Sequence, residues 1–176
     1  MVCGASLLSP WLSRTPTAPR GCSWRWKRPG VDGWRLYLAT TVAAEFRPAV
    51  AQHRTKLELQ LPDTEVSALC DRERVAQIMR ILVDNAIRHT PEGTPVTVSA
   101  ARRNGTAKIT VADWGPGLEG GEASQVFDRF FTGDAENGGA GLGLAIAKEL
   151  AERMHGEIRL KSRPGRTAFT FEMPSE

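Results

Sequence analysis

The spacing of apolar residues predicts helices at three places along the chain. Four-residue intervals predict a first helix whose apolar positions are Leu38, Val42, Phe46 and Val50. A second helix follows Asp71, a typical N-cap residue, and its apolar stripe consists of Val75, Ile78, Met79, Leu82 and Ala86. The third starts near Leu142, and its apolar positions are Ile146, Leu150 and Met154 beside Ala147 and Ala151.

Strands are predicted where apolar and polar residues alternate. The predicted strands are residues 57–61, 66–69, 96–101, 109–111, 158–160 and 169–173, and all of them except the short segment 66–69 show this alternation. Asn104-Gly105 predicts a tight hairpin turn between the third and fourth of these strands. Because the strands alternate instead of being apolar throughout, each is expected to bury one face only. The pattern therefore predicts an α+β fold with two layers, in which helices pack on one face of a sheet.

Charge is distributed unevenly along the 176 residues. Residues 1–31 contain five Arg or Lys and no acid, so the overall charge of +3 leaves +3 − 5 = −2 for the rest. A near-neutral body argues against a nucleic-acid partner, which requires a contiguous basic face. No segment approaches the roughly 18 apolar residues of a membrane span. The three cysteines lack metal-ligand spacing, which favours a reducing, cytoplasmic location, although a full-length relative can be membrane-anchored.

The first 31 residues show neither helical nor strand periodicity. We expect little fixed structure there, and we divide the chain into a disordered or non-native basic extension, residues 1–31, and one folded domain, residues 32–174. The extension resembles a targeting peptide in its composition, but a misplaced start or a frameshift explains it more simply.

Four polar or glycine-rich segments follow one another in a fixed order: Asn85, residues 113–117, residues 139–143 and residues 164–167. Asn85 and Arg88 share one face of a helix, where a carboxamide oxygen can bind Mg²⁺ and a guanidinium can contact phosphate. Asp113 ends a strand, and its carboxylate can accept a hydrogen bond from a purine amino group. Gly115 and Gly117 let the main chain approach a flat ligand.

The segment 139–143 precedes a helix, so its free N–H groups and the helix dipole favour a phosphate there. It matches neither a P-loop nor a dinucleotide fingerprint. Phe127, Phe130 and Phe131 precede this segment, and they fit either core packing or the base of a mobile lid. Taken singly, each segment also fits an ordinary turn, cap or solvated face.

Taken as an ordered set, DNAIRHTPEG, VADWGPGL, VFDRFF and GAGLGLAIAKEL resemble the four motifs of one family. That family is the ATP-binding catalytic domain of sensor histidine kinases, in the superfamily with gyrase, Hsp90 and MutL. The resemblance implies a Bergerat-type α/β sandwich with a mixed sheet, and it implies ATP and Mg²⁺ as cofactors. It implies that Asn85 and Arg88 act in catalysis, with Asn85 holding Mg²⁺ and Arg88 contacting phosphate.

The resemblance also implies a set of ATP-binding residues. Asp113 would read the adenine amino group between Gly115 and Gly117, and Thr167 would place a hydroxyl near the base. The full set implied in this way is Asn85, Arg88, Asp113, Gly115, Gly117, Phe130, Gly139, Gly141, Leu142, Gly143 and Thr167.

The chain departs from the family pattern at three places. Ile81 stands where these kinases usually have a second Asn and the ATPases a Glu, so we expect no efficient autonomous hydrolysis. Thr132 replaces a residue that is often basic, and the lid from residue 132 to residue 140 is short.

The acceptor histidine of the family is not recognisable here, since neither His53, His89 nor His155 is followed by its motif. The resemblance therefore implies a partner in trans, a dimerisation domain that carries this histidine and passes the phosphoryl group to a response regulator. Two alternatives stay open: a degenerate nucleotide-sensing or partner-binding module, and a serine kinase of the anti-sigma type.

Overall fold

The computed structural model describes residues 23–25, 37–62, 67–118, 121–132 and 140–174. Its helices are α1 (Tyr37–Glu45), α2 (Arg47–Gln52), α3 (Arg72–Arg88), α4 (Glu122–Gln125) and α5 (Gly143–Glu152). Its strands are β1 (Ser23–Arg25), β2 (Leu57–Gln60), β3 (Ser67–Leu69), β4 (Val96–Arg103), β5 (Thr106–Asp113), β6 (Glu157–Arg163) and β7 (Arg166–Pro174).

Five strands form the main sheet in the order β2-β4-β5-β7-β6. The β2–β4 pair is parallel and the other three pairs are antiparallel, so the predicted mixed sheet is confirmed. The side chains on one face form a buried cluster with α1, α3 and α5. The opposite face carries mainly Thr, Ser, Ala and charged residues, as the alternation predicts. The two-layer arrangement is therefore the one expected from the sequence.

The helix α3 is the central helix of the core. Asp71 caps it by accepting hydrogen bonds from the N–H groups of Glu73 and Arg74. All five apolar residues of the predicted stripe are buried, and so are Ala76, Val83 and Ile87. This helix carries Asn85 and Arg88 in its last turn, so core packing sets the position of both side chains.

The predicted first helix is two helices, which corrects the sequence interpretation. Pro48 has no N–H to donate to the carbonyl of Ala44, so the α-helical pattern stops at Phe46 and restarts at Arg47. Phe46 and Val50 still pack against the core cluster. The apolar spacing was correct, and the proline decides where the helix is interrupted.

The sequence predicted the tight hairpin turn correctly, but it did not predict two of the short elements. Asn104 and Gly105 have φ of +52° and +70°, which confirms the tight hairpin between β4 and β5. The short helix α4 and the strand β1 were not expected. Strand β1 falls within residues 1–31 and pairs with β3, and the rest of that range lies outside the described residues. The proposed division into residues 1–31 and 32–174 stays a prediction.

No helix in the described part of the chain is long and apolar enough to cross a membrane.

Candidate functional site

Asp113 is a buried carboxylate at the end of a central strand. It is the last residue of β5, its side chain is on the helix-covered face, and only 5% of it is exposed. The Oδ1 atom accepts a hydrogen bond of 2.9 Å from the N–H of Gly115. Burial raises the pKa of Asp113 above its ordinary value, while the Gly115 N–H and the nearby His89 offset part of the rise. A carboxylate has about four lone-pair sites, so Asp113 keeps capacity for a ligand donor.

The strand register brings Thr167 next to Asp113. The two residues are directly opposite in the β5–β7 pair, and Ser162 is opposite Thr167 in the β6–β7 pair. The hydroxyls of Ser162 and Thr167 are 3.3 Å apart, and Ser162 also accepts a 2.8 Å hydrogen bond from the N–H of Leu118. One end of the sheet therefore presents a polar row that faces the helices.

Ser162 was missed by the sequence analysis. It occupies the same strand face as Ile158 and Leu160, so a polar residue at an apolar position of the alternation was the available signal.

The loop after β5 packs so closely that it requires glycine. A Cβ on Gly115 would be 2.8 Å from Cγ2 of Thr90 and 3.0 Å from Oδ1 of Asp113. Gly117 has φ of +85°, and its Cβ would be 2.4 Å from the carbonyl oxygen of Arg163. Thr90, also missed from the sequence, is buried and donates to the carbonyl of Ala86. The loop is thus held between the end of α3 and the β6–β7 turn.

Asn85 and Arg88 lie on the last turns of α3, at the same end of the fold. Asn85 is half-buried, whereas Arg88 is exposed and its Nε donates to Oδ2 of Asp84 at 2.7 Å. Ile81 lies one turn earlier, and its Cγ2 is 3.4 Å from the position of a Cβ on Gly143. The residue that departs from the family pattern therefore lies close to the first residue of α5.

The glycine segment places the start of α5 opposite α3. Gly141 has φ of +62°, and its carbonyl accepts a 2.8 Å hydrogen bond from the N–H of Phe130. Leu142 is the N-cap and Gly143 the first residue of α5, with no side-chain capping bond among the described residues. Gly139 lies outside the described residues. The first-turn N–H groups of α5 are thus available to an anion.

The three phenylalanines before the glycine segment separate into two environments. Phe127 packs edge-on against Phe169 with ring centroids 6.2 Å apart, and Phe131 also packs against the core. Phe130 is 73% exposed and has φ of +68°. Core packing therefore explains two of the rings and not the third.

The predicted site residues in the described chain converge on one end of the molecule. Asp113, Gly115, Gly117 and Thr167 meet at the end of the sheet, and α3 and α5 face each other beside them through Ile81 and Gly143. A buried carboxylate next to close-packed glycines suits a planar ring with an amino donor, and a helix N-terminus suits phosphate groups.

Comparisons with known proteins identify similar chains and domains. The E. coli (strain K12) signal transduction histidine-protein kinase BaeS is 33% identical over 144 residues, which are 79% of this chain and 31% of BaeS. The catalytic domain of histidine kinase ThkA superposes with a TM-score of 0.71 at 25% identity, covering 79% of this chain and 91% of that domain. Full-length ShkA in complex with AMPPNP gives a TM-score of 0.71 at 29% identity, with 78% of this chain and 29% of ShkA covered.

The chain spans about a third of the length of BaeS. The model of one family, described as histidine kinase-, DNA gyrase B- and HSP90-like ATPase, matches residues 70–176. This match includes α3, the loop after β5 and the whole of the glycine segment. The chain therefore belongs to the family of histidine kinase-, DNA gyrase B- and HSP90-like ATPases.

Proposed function

We propose that this chain is the ATP-binding catalytic module of a sensor histidine kinase. It supplies the γ-phosphate of ATP to a histidine on a dimerisation domain that acts in trans. The observation that carries the proposal is the buried Asp113 carboxylate, held 2.9 Å from the Gly115 N–H in a loop whose Gly115 and Gly117 have no room for a Cβ. Its support is the kinship with BaeS and ThkA, both named as histidine kinases.

In this proposal the base pocket lies at the end of the sheet. Asp113 accepts a hydrogen bond from the adenine amino group, Gly115 and Gly117 form the walls, and the Thr167 hydroxyl contacts the base. A charge-assisted hydrogen bond of this kind is worth about 1.5–3 kcal/mol, which is enough to select adenine over a base that lacks the donor. Because Asp113 is buried, little water competes with the adenine amino group for its carboxylate.

The triphosphate lies between α3 and α5 in this proposal. Gly139, Gly141, Leu142 and Gly143 accommodate the phosphates at the start of α5, and Phe130 forms the base of the lid. Arg88 reaches a phosphate by leaving Asp84, and this exchange is cheap because an exposed ion pair is worth about 0–1 kcal/mol.

The residues present fit a Mg²⁺ ion that is held mainly by the nucleotide. No cluster of three or more His, Cys, Asp or Glu side chains in the described chain could hold a metal ion. Mg²⁺ in nucleotide sites is commonly bound by few protein ligands together with phosphate oxygens and water. Asn85 is half-buried, follows Ile81 by one turn on α3 and would supply the carboxamide oxygen.

The partner and the location follow from the same proposal. The acceptor domain would pass the phosphoryl group to a response regulator. We do not assign the acceptor to any of the three histidines of this chain. His53 is hydrogen-bonded to the Thr55 hydroxyl at 2.6 Å, and His89 and His155 are exposed at the ends of helices. A cytoplasmic location stays a prediction. The comparisons favour neither a degenerate sensing module nor an anti-sigma-type serine kinase.

Two measurements test the proposal in sequence. In a thermal shift assay, Mg-ADP should raise the unfolding temperature, and Mg-GTP and buffer should not. With labelled ATP, the chain alone should form no phosphohistidine, and addition of a dimerisation domain with its acceptor histidine should give labelled product. The absence of any shift with Mg-ADP at millimolar concentration would contradict nucleotide binding. Binding without transfer would leave the ATP site intact and remove the kinase role.

A further inference from the structure

The helix-free face of the sheet carries a basic surface at the end nearest the nucleotide site. Residues on the helix side alternate with residues on this face, so Thr167 and Ser162 point to the helices while Arg166, Lys161 and Arg163 point away. Trp114 lies here as well, because the Arg166 guanidinium stacks 5.4 Å from its ring centroid. We name these four residues, Trp114, Lys161, Arg163 and Arg166, the hairpin patch.

The cations of the hairpin patch are not neutralised by acidic residues in the described chain. Lys161, Arg163 and Arg166 are exposed, and none of them forms an ion pair within the ranges that the structure describes. The neighbouring cations on this face are neutralised: Lys108 and Arg159 form ion pairs with Glu172 at 2.7 and 3.6 Å. Three unpaired cations therefore lie together at this end of the face, whereas among the described residues Arg103 is alone at the other end.

The patch also contains a large exposed aromatic side chain. Trp114 is 43% exposed, although a tryptophan at the end of a central strand could have packed into the core. Trp and Arg are the residue types most enriched at the energetic centres of protein interfaces. An exposed tryptophan stacked with an arginine and flanked by two free cations thus has the composition of a binding surface.

The size of the patch distinguishes between the possible partners. Three cations at about 1 kcal/mol each give weak attraction to an anionic membrane, where stable binding uses clusters of about 4–8. Nucleic acid requires a contiguous basic face, whereas the chain after residue 31 has a net charge of −2 and the next cations on this face are paired. A short acidic protein segment matches three charges and one apolar contact.

We propose that the hairpin patch is a docking surface for an acidic segment of a partner protein. Carboxylates of the partner pair with Lys161, Arg163 and Arg166, and an apolar side chain of the partner packs on Trp114. The proposal does not depend on nucleotide binding, because Asp113 and its pocket lie on the opposite face of the sheet.

The experiment uses two matched charge reversals in the full chain. Arg163 and Arg103 are each exposed, each end a strand, and each directly precede a two-residue turn, but they lie on different hairpins. The probe is a labelled peptide of Glu-Leu repeats, measured by fluorescence anisotropy in low and high salt. Arg163→Glu should weaken peptide binding about tenfold, because attraction becomes repulsion, and Arg103→Glu should change it less than twofold.

Two further arms complete the test. A Glu-Ser repeat peptide should bind more weakly than the Glu-Leu peptide, because its serines do not cover Trp114. Thermal unfolding of both variants checks the fold, and Lys161→Gln/Arg163→Gln serves as the second variant if Arg163→Glu unfolds. The five cations in residues 1–31 attract acidic peptides in every variant alike, so the difference between variants is the readout.

The proposal is overturned if Arg163→Glu and Arg103→Glu bind the Glu-Leu peptide equally. It is also overturned if Arg163→Glu weakens binding to mixed phosphatidylserine–phosphatidylcholine vesicles, or to single-stranded DNA, more than binding to the peptide. Either of those results would identify the patch as a lipid or nucleic-acid contact.

Discussion

Replacing Asp113 by Asn should weaken nucleotide binding and at the same time stabilise the nucleotide-free protein. The substitution removes one charge and keeps the shape of the side chain, including an oxygen that can accept the 2.9 Å hydrogen bond from Gly115. What it removes is the charge-assisted bond to the adenine amino group, about 1.5–3 kcal/mol. Since about 1.4 kcal/mol corresponds to a tenfold change, affinity for Mg-ADP should fall about 10- to 150-fold.

The gain in stability follows from the direction of the pKa shift. Burial raises the pKa of Asp113 in the folded state above the ordinary value of 3.8, so the folded protein holds this proton more tightly than the unfolded chain. The wild-type protein therefore loses stability as pH rises from that ordinary value through the raised folded pKa. The Asn variant has no such loss, so its advantage should appear over this pH window and persist at neutral pH.

Calorimetric titration with Mg-ADP and urea unfolding at acidic and neutral pH measure both effects. Asp71→Asn is the matched control, because Asn caps a helix as well as Asp does. Asp71 precedes α3 and lies 14 residues, or about 20 Å, before Asn85. The control should leave the affinity unchanged and change the unfolding free energy by no more than about 1 kcal/mol, the contribution of the exposed Asp71–Arg74 ion pair that it also removes. Equal affinity of the Asp113→Asn variant and the wild type would refute the assignment of Asp113 to the base pocket, and an unchanged pH profile would refute the burial argument.

The remaining predictions concern the loop, the phosphate contact and hydrolysis. Gly117→Ala should cost about 1–3 kcal/mol more unfolding free energy than Gly105→Ala, because both glycines have positive φ but only Gly117 is against a carbonyl, 2.4 Å from its Cβ position; equal costs in urea unfolding would contradict the close approach. Arg88→Gln should lower Mg-ATP affinity about tenfold and change the unfolding free energy by about 0.5 kcal/mol or less, because its partner Asp84 is half exposed; unchanged affinity in a titration would remove Arg88 from the phosphate site. The wild-type chain should release no phosphate from Mg-ATP above the Asp113→Asn background, since Ile81 has no atom that accepts a proton; steady turnover in a phosphate-release assay would show that another residue activates water.

The secondary structure was predictable where one local pattern dominates. The stripe of α3 from Val75 to Ala86 and the alternation of β5 reflect the burial of one face, which a single sequence records directly. The Asn104-Gly105 turn is equally local, because its two positive φ angles favour these residue types. The break at Phe46 was missed because the apolar spacing continues through it. The helix is interrupted there because Pro48 has no N–H to donate to the preceding turn.

The site was predictable as a set of segments but not as a set of contacts. Glycine positions such as Gly115 and Gly117 indicated close approach of the main chain, and the structure identifies the neighbours as Thr90 and the Arg163 carbonyl. The three phenylalanines looked alike in sequence. Phe130 is exposed, has a positive φ and donates a main-chain hydrogen bond to Gly141. Phe127, in contrast, packs against the core.

The sequence by itself determined the order of α3, α5 and the strands of the main sheet, the apolar face of each, and the residue types available to a nucleotide, because these depend on neighbours within one turn or one strand. Only the tertiary structure decided that Asp113, Thr167 and Ser162 form one row, since strand register is a property of pairs of distant segments. It also decided that Ile81 lies close to the start of α5 and that Trp114 lies among unpaired cations. The physical reason is that the free energy of burying Asp113 or exposing Trp114 is fixed by the residues that surround it, and these come from several parts of the chain.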